Sequence, residues 1–454
     1  GLHRMAYLAF THPERFPPSR MLVVTYGAAL AAYMSKVLPA LGVDGVRVVT
    51  FSTWVERELR KAYPSLRIRL AHDTPPLVAR LKNHPAVLHE LEARARTHEG
   101  KRTSRALLEL WGELVTDKPR LSAMLTADPE APMSEAEVAE AHRFASDRAT
   151  AVLEFEPTPK TRAPKRRRKG DDEEPGDETP DDDENLRGDV GIDGLATFED
   201  SVAALDLEDA VLLLRLHQIL RGAKRELAHL FVDEAQDLSP AELAVLLGTT
   251  TPQRSVTLAG DVAQKLFLDN GFGGWSSVLG HLGLDHVAIS PLQIAYRSTR
   301  EILAFARHAM GPLADPTPPH APRSGAPVEA HRFPGTGAAV AFIADALRPL
   351  FAREPRATVA ILARHPEQAD RYFEGLRRAE VPSLRRVNAQ DFTFRPGVDV
   401  TDIRQIKGLE FDYVLIVDAN ANTFGTDDES RHLLHIAATR AAHQLWLIVT
   451  GAPS

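Results

Sequence analysis

Three carboxylates stand directly after a short apolar run in the stretch LFVDEAQDLSPAEL, residues 230–243. They belong to Asp233, Glu234 and Asp237. An apolar strand that ends in an acid delivers a carboxylate to the carboxyl edge of a parallel sheet, which is where such sheets bind ligands. One acid there can help to hold Mg²⁺ beside a phosphate chain, and its neighbour can orient and deprotonate a water molecule. The pattern is also typical of a plain helix start, because acids are favoured near the positive end of a helix.

Further chemistry-bearing residues follow in order along the chain. A second apolar run, SVTLAGD, ends in Asp261, and Gln264 comes soon after it. The amide of Gln264 could bond a phosphate oxygen without cancelling the charge of a metal. Arg297 lies in AYRSTREI and Arg440 in HIAATRAAHQ. Either arginine alone is more typical of a surface or salt-bridge residue, but their order and company favour a phosphate site.

These residues need elements that bring distant strand ends together. The run MLVVT is followed by a helical pattern that ends at Gly42. Further apolar runs alternate with helical patterns along the chain: VRVVTF, LAHLFV, SVTLAG, ATVAIL, YVLIVDA and, within LLHIAATRAAHQLWLIVTG, the run LWLIVTG. Strands alternating with helices predict parallel sheets that are covered on both faces. We therefore predict an α/β protein with two such units, separated near Leu313 by the proline-rich stretch PLADPTPPHAPRSGAP.

The predicted domains are a first α/β domain of residues 1–55 and 225–312, an inserted helical subdomain of residues 56–156 and 189–224, a charged linker of residues 157–188, and a second α/β domain of residues 313–454. The insertion is predicted from the helical period of segments such as SRALLELWGELVTD. The linker has a basic block followed by an acidic one and almost no apolar residues, so we predict that it is disordered.

Composition narrows the class of protein. The chain has 454 residues, 44% of them hydrophobic, and no run of eighteen uncharged apolar residues, so no membrane span is expected. Its formal net charge of -8 argues against binding nucleic acid by bulk positive charge. There are no cysteines, which excludes disulfides, thiolate zinc sites and cysteine nucleophiles. A cytoplasmic location is the expectation.

The series of motifs resembles superfamily-one helicases of the UvrD and Rep type. VDEAQD is similar to motif II, LAGDVAQ to motif III, YRSTREI to motif IV, DIRQIKGLEFDYV to motif V and AATRA to motif VI. VVTYGAA and VTFSTW resemble motifs Ia and Ib. The segments GLHRMAYLAFTH, VLPALG and PPHAPRSGAP resemble the helicase IV and HelD branch most closely. The resemblance implies two RecA-like parallel-sheet domains with a helical insertion in the first, and leaves only the insertion and the linker uncovered.

The resemblance also implies ATP and Mg²⁺ as cofactors and a role for each matching position. For the nucleotide, it implies Asp233 as a Mg²⁺ ligand, Glu234 as the water-activating base, Gln264 as the γ-phosphate sensor, Arg297 and Arg440 as arginine fingers, Tyr296 as the adenine-stacking ring, and Gly408 and Glu410 as a nucleotide-binding pair with Glu410 on the ribose. For a single strand of DNA or RNA, it implies Thr25, Tyr26, Thr50, Phe51, Trp275 and Gln405.

Two departures from the family pattern qualify these expectations. The sequence contains no G-x-x-x-x-G-K-[ST] loop, which in the family holds the β- and γ-phosphates. We expect either that the chain is a fragment of a longer motor or that the loop was lost naturally. The interval between Arg297 and Arg404 is too short for the large second helical domain of UvrD-like members. This favours translocation, or displacement of a partner, over processive unwinding.

Three functions therefore remain open from the sequence. The first is an ATP-driven motor on single-stranded nucleic acid. The second is a HelD-like recycling factor whose partner is RNA polymerase. The third is a catalytically inactive nucleic-acid-binding module.

Overall fold

The computed structural model describes residues 1–64, 68–71, 73–98, 100, 102–129, 131–154, 203–317 and 320–451. The charged linker predicted at residues 157–188 lies outside them. The chain divides into two compact units. The first, here called the α/β unit, comprises Gly1–Trp54, Asn83–Leu88 and Gly222–Ser454, and the second, the helical unit, comprises Val55–Lys82 and His89–Arg221.

Twelve strands occur in the described residues. In chain order they are β1 (Met21–Thr25), β2 (Arg47–Thr50), β3 (Ile68–Leu70), β4 (Ala203–Leu205), β5 (His229–Val232), β6 (Val256–Leu258), β7 (Glu329–Phe333), β8 (Thr358–Ala363), β9 (Leu384–Arg386), β10 (Gly397–Asp402), β11 (Phe411–Val417) and β12 (Ala441–Thr450).

Fifteen α-helices occur in the same residues. They are α1 (Leu2–Thr11), α2 (Ala28–Ala40), α3 (Phe51–Ala62), α4 (Pro76–Asn83), α5 (Pro85–Thr97), α6 (Ser104–Thr116), α7 (Lys118–Thr126), α8 (Glu135–Glu154), α9 (Leu207–Arg221), α10 (Pro240–Leu247), α11 (Trp275–His281), α12 (Arg300–Met310), α13 (Thr336–Arg353), α14 (Pro366–Arg378) and α15 (Asp428–Ala438). None of the described helices is long and apolar enough to cross a membrane.

Four parallel strands form the first sheet of the α/β unit, in the order β2-β1-β5-β6. Strand β1 is buried along its whole length, as expected for a central parallel strand that is covered on both faces. On one face, Met5 of α1 and Met34 of α2 share a core with Val23 and Phe231 of the sheet. The carboxyl ends of β1, β5 and β6 therefore lie along one edge.

Six parallel strands form the second sheet of the same unit, in the order β7-β12-β11-β8-β10-β9. Alternate residues of β11 belong to different hydrophobic cores. Val414 and Ile416 pack in one core, and Leu415 and Val417 pack in the other. This alternation explains the unbroken apolar run of β11, because both faces of the strand are covered. Helix α12 packs on this sheet, since Ile302 belongs to the core of Val414.

The two parallel sheets confirm the predicted α/β class with RecA-like architecture. The chain between β2 and β5 supplies the helical insertion, from α3 to α9. Three strands of the second sheet, β7, β9 and β10, were not predicted. The edge strands β7 and β9 read EAHRF and LRR, which contain too few apolar residues to indicate a strand.

A buried ionic cluster lies inside the helical unit. The ammonium of Lys82, in α4, contacts the Asp206 carboxylate and lies 2.6 Å from Asp209 Oδ2. The indole Nε1 of Trp111 donates to Asp209 Oδ1 at 3.2 Å. Burial pushes the pKa of Lys82 down, but the two carboxylates more than offset this, so the pKa is raised overall. The cluster therefore holds a charged lysine.

Candidate active site

The loop after β5 carries the three acids. Glu234 has a left-handed backbone with a φ of 55°, a conformation that is uncommon for a residue with a side chain. Its carboxylate accepts a hydrogen bond from Gln236 Nε2 at 2.7 Å. The buried Asp237 accepts one from the backbone amide of Leu266 at 2.9 Å. The turn thus places the carboxylates of Glu234 and Asp237 close together, with Asp237 the more deeply buried.

Asp233, the first residue after β5, has a strongly perturbed carboxyl group. Burial raises its pKa to about 6, and the charge of Glu234 acts in the same direction. Positive charge favours the ionised form of such a carboxyl. The described residues contain no group of three or more His, Asp or Glu side chains arranged for a metal. Mg²⁺ often takes only one or two protein carboxylates and completes its shell with water and phosphate oxygens, so Asp233 fits that ion by its chemistry.

The loop after β6 is tied to this acid loop. Asp261 begins the 3-10 turn Val262–Gln264 and accepts from Gln264 Nε2 at 2.8 Å. The Asp261 amide donates to Gln236 Oε1 at 3.0 Å. Gly260 makes this approach feasible, because a Cβ at that position would lie 2.2 Å from the same oxygen. Glu234 and Gln264 are therefore linked through Gln236 and Asp261.

Arg440 reaches these loops from the second sheet, at the junction of α15 and β12. Its buried side chain donates from Nε to the Ile436 carbonyl at 3.2 Å and from Nη1 to the Leu409 carbonyl at 3.1 Å. Nη2 donates to Gln264 Oε1. Burial lowers the pKa of Arg440 to about 10, although the charge of Glu234 acts in the opposite direction. Two residues from separate sequence motifs are thus in direct contact.

Lys407 belongs to the same cluster, and sequence reasoning missed it. Its ammonium contacts Asp237 Oδ2 and lies 3.5 Å from Glu234 Oε2. The side chain is 3% exposed. Burial lowers the pKa of Lys407 to about 8 against the raising effect of Glu234. The sequence contained one indication of this role: Lys407 lies between the apolar Ile406 and the segment GLEF. A lysine that is buried with apolar neighbours needs an acidic partner.

Gly408, predicted to bind the nucleotide, has a packing role in this structure. Its φ is 79°, and a Cβ there would lie 2.7 Å from Leu30 Cδ2 on α2. Only glycine suits both the left-handed backbone and this close approach. The loop between Ile403–Ile406 and β11 can therefore lie against the first sheet's layer. Its role in nucleotide binding stays a prediction.

Arg297 and Glu410 contact each other at the margin of the cluster. Their side chains are 56% and 52% exposed. The charge of Arg297 lowers the pKa of both Asp233 and Arg440, so it acts on the same site. Tyr296, predicted to stack on adenine, is 69% exposed. An exposed ring and two half-exposed charges at this margin leave room for a ligand.

Three of the six predicted nucleic-acid residues, Thr25, Tyr26 and Gln405, lie close to the ends of strands. Thr25 is fully buried at the end of β1, and its hydroxyl is among the described atoms that have no hydrogen-bond partner. The ring of the next residue, Tyr26, lies 5.3 Å from the ring of Phe267. Burial raises the pKa of Tyr26 to about 12. Gln405 Oε1 accepts from the amide of Gln390 at 2.9 Å.

The other three have local structural partners. Thr50 caps α3, because its hydroxyl accepts from the Thr53 amide at 3.3 Å. Phe51 is 3% exposed and stacks on Trp54, so its face is not open to a base in this structure. Trp275 is half-buried and meets Phe272 edge to face at 5.3 Å. Their binding roles stay predictions.

The cluster can be compared with known proteins. Residues 397–448 match the model of the UvrD-like helicase C-terminal domain. The match runs from β10 into β12 and includes Gln405, Lys407, Gly408, Glu410 and Arg440. It supports a helicase-type function. The acids after β5 and the loop after β6 lie outside the matched residues. A comparison with curated proteins gave no match.

Two solved structures are similar to parts of the chain. One is the C-terminal domain of a possible DNA helicase from Lactobacillus plantarum WCFS1, with 26% identity, 35% of this chain and 90% of that chain covered, and a TM-score of 0.30. The other is the Arterivirus nonstructural protein 10 (helicase), with 16% identity, coverage of 48% and 38% respectively, and a TM-score of 0.27. The present chain thus spans well under half of the arterivirus chain. We take no functional assignment from these partial superpositions.

Proposed function

We propose that the chain forms the core of an ATP-dependent motor of the UvrD/HelD type, which moves on single-stranded DNA or RNA. The observation that carries the proposal is the contact of Arg440, from the second sheet, with Gln264, from the first, beside Glu234. Phosphoryl transfer depends mainly on positioning and on neutralising charge. Cationic and acidic groups from two sheets at one place would serve both requirements. The domain match at residues 397–448 supports this assignment.

The proposed roles are those that the resemblance to UvrD-type helicases implies for these positions. Asp233 would hold Mg²⁺, which when bound neutralises charge on phosphate oxygens. Glu234 would accept the proton of the attacking water. Arg440 and Arg297 would stabilise negative charge that develops on the phosphate. The exposed ring of Tyr296 and the carboxylate of Glu410 would take the adenine and the ribose. The sequence supplies no glycine-rich phosphate loop, so the 454-residue chain alone should turn over little ATP.

The nucleic acid would lie along strand ends that are next to this cluster. Tyr26 follows β1 in the first sheet, and Gln405 precedes β11 in the second. A strand held by both would respond to any change in the spacing of the sheets. This gives a physical route from nucleotide state to movement, because cleft closure would alter the grip on the strand.

The test is the substitution Glu234→Gln in the full-length product of the gene. Glutamine keeps the size of the side chain but cannot accept the proton of water, so kcat should fall about 10²- to 10⁴-fold with nucleotide affinity largely kept. ATP turnover is measured with and without oligo-dT. The matched control is Glu226→Gln, an exposed acid before β5, which should leave turnover unchanged. Wild-type turnover that is absent, or that survives in Glu234→Gln, contradicts the motor.

A HelD-like factor that binds RNA polymerase is a second candidate, favoured by the size of the helical unit, which holds α6 to α9 in full. A large helical insertion can supply a protein-binding surface. The same assay distinguishes the two functions. Stimulation of ATP turnover by single-stranded nucleic acid supports the motor, whereas stimulation by RNA polymerase alone supports the factor. Binding of nucleic acid without any turnover by the full-length product supports the inactive module.

A further inference from the structure

We propose that Lys407 is the positioning residue through which the second sheet sets the carboxylate of Glu234. The inference rests on the proposed function, in which Glu234 is the base. It differs from the role of Arg440, which would act on the phosphate itself. Lys407 would act only through an acid of the first sheet.

The partners of Lys407 are unequal. The Asp237 side chain is fully buried and is also fixed by the backbone amide of Leu266 at 2.9 Å. Glu234 is 15% exposed and lies 3.5 Å from the ammonium. Asp237 therefore anchors the lysine, and Glu234 is the partner that remains able to move. An anchored charge beside a movable carboxylate can determine where that carboxylate points.

The residues around Lys407 connect it to the rest of the second sheet. Ile406 and Leu409 are buried in the same core as β11, so the lysine cannot shift without the sheet. The carbonyl of Leu409 accepts from Arg440. A displacement of this segment would move the ammonium and the predicted arginine finger together. The second sheet can therefore deliver both charges to the site in one movement.

The backbone of Glu234 also needs outside support. A left-handed conformation at a residue with a side chain persists only where the surroundings over-determine it. Among the described residues, two polar groups contact the side chain directly, Gln236 Nε2 at 2.7 Å and Lys407 Nζ at 3.5 Å. Only Lys407 carries a charge, and at this distance in a poorly solvated site the attraction is substantial. Loss of Lys407 should loosen the turn of residues 233–237.

The competing interpretation is an ordinary buried ion pair between Lys407 and Asp237. Two variants distinguish this interpretation from the positioning role. Lys407→Met removes the charge but keeps the long apolar stem of the side chain. The double variant Lys407→Met/Asp237→Asn also removes the buried negative charge that Lys407→Met leaves without a partner. Asparagine retains an oxygen for the Leu266 amide. The double variant should recover the melting temperature that Lys407→Met loses, because it leaves no unpaired buried charge.

Hydrogen exchange of residues 233–238 in the 454-residue chain then decides between them. If Lys407 positions Glu234, these amides exchange roughly tenfold faster in Lys407→Met and stay fast in the double variant. If the pair is only structural, wild-type protection returns together with the melting temperature, and the proposal is overturned. Unchanged exchange in Lys407→Met overturns it as well. This readout needs no ATP turnover.

Kinetics of the full-length product supply the link to function. Lys407→Met and the double variant should both lose about 10- to 100-fold in kcat with the KM for ATP little changed, as expected for a misplaced base. Full activity in the double variant overturns the positioning role. If the wild-type product has no turnover, the motor fails as a function, while the exchange experiment still decides whether Lys407 holds Glu234.

Discussion

The helical unit and the α/β unit each contain a buried lysine in contact with acidic side chains, Lys82 and Lys407 respectively. The pKa values of these two lysines are shifted in opposite directions. The pKa of Lys82 is raised despite burial, because Asp206 and Asp209 both lie against it. Burial lowers the pKa of Lys407 to about 8, and the nearby charge of Arg440 contributes in the same direction. At Lys82 the carboxylates outweigh the effect of burial on the pKa, whereas at Lys407 burial outweighs the carboxylates.

We interpret the Lys82 cluster as structural and the Lys407 cluster as part of the proposed functional site. A fully paired buried charge stabilises its surroundings only as long as both partners stay, so it resists rearrangement. Perturbed pKa values concentrate at functional sites. Lys407, Arg440 and Arg297 lie near the acids Asp233 and Glu234. Under the proposed function, Arg440 and Arg297 would face a phosphate group there, whereas the Lys82 cluster is paired without a ligand.

The largest expected effect is the loss of ATP turnover when Arg440 is replaced. In the full-length product, Arg440→Ala should lower kcat by about three to five powers of ten, as loss of an arginine finger does. The substitution also leaves the Leu409 carbonyl without the donor Arg440, while the Ile436 carbonyl keeps the Thr439 hydroxyl as a donor. Losing the partner of a buried carbonyl costs about 1–3 kcal/mol of stability. Turnover must therefore be expressed per folded molecule, with the folded fraction taken from circular dichroism.

Arg385→Ala is the matched control for this measurement. Arg385 also belongs to the second sheet and also donates to two carbonyls, those of Arg395 and Pro396, and it pairs with Asp399. It should lose comparable stability and keep its turnover per folded molecule. Equal losses of turnover in the two variants would mean that Arg440 only supports the fold.

The second largest expected effect is the loss of stability when Lys82 is replaced. Lys82→Met leaves Asp206 and Asp209 buried with less positive charge, and breaking a buried pair in this way costs about 3–5 kcal/mol of the free energy of unfolding. Urea denaturation of the 454-residue chain measures this loss. In the full-length product, ATP turnover per folded molecule should be unchanged, because the cluster lies in the helical unit.

Lys61→Met provides the comparison within the same helical unit. Lys61 pairs with Glu58 at 2.9 Å, but its side chain is 58% exposed. Exposed pairs contribute about 0–1 kcal/mol, so this variant should stay close to wild type. If Lys82→Met is equally mild, the cluster is solvated in solution and the contrast between the two lysines disappears.

Local patterns predicted the most apolar strands and the acids, but they did not predict β7, β9 and β10 or the partners of the acids. An apolar run that ends in acids is a signal within a few residues, and β5 with Asp233 and Glu234 was predicted from it. The contact of Lys407 with Asp237 joins positions far apart in the chain, and nothing beside either residue indicates the other. Phe51 shows the same limit, since an aromatic residue in a strand-to-helix turn has the same sequence pattern whether it faces solvent or, as here, Trp54.

The smallest expected effect concerns Arg297 and Glu410. Both side chains are more than half exposed, so water and salt screen the pair, and Glu410→Gln should change the free energy of unfolding by under about 1 kcal/mol. The difference from wild type should vanish at about 1 M NaCl, where the screening length falls to about 3 Å, while the deficit of Lys82→Met should persist because buried charges are screened far less. Urea denaturation at low and high salt measures both.

A salt-resistant loss of about 2 kcal/mol or more in Glu410→Gln would place this pair with the structural cluster. A negligible, salt-sensitive loss would instead leave Arg297 free to exchange its carboxylate partner for a phosphate at little cost in stability, which is what an arginine at the margin of a nucleotide site requires.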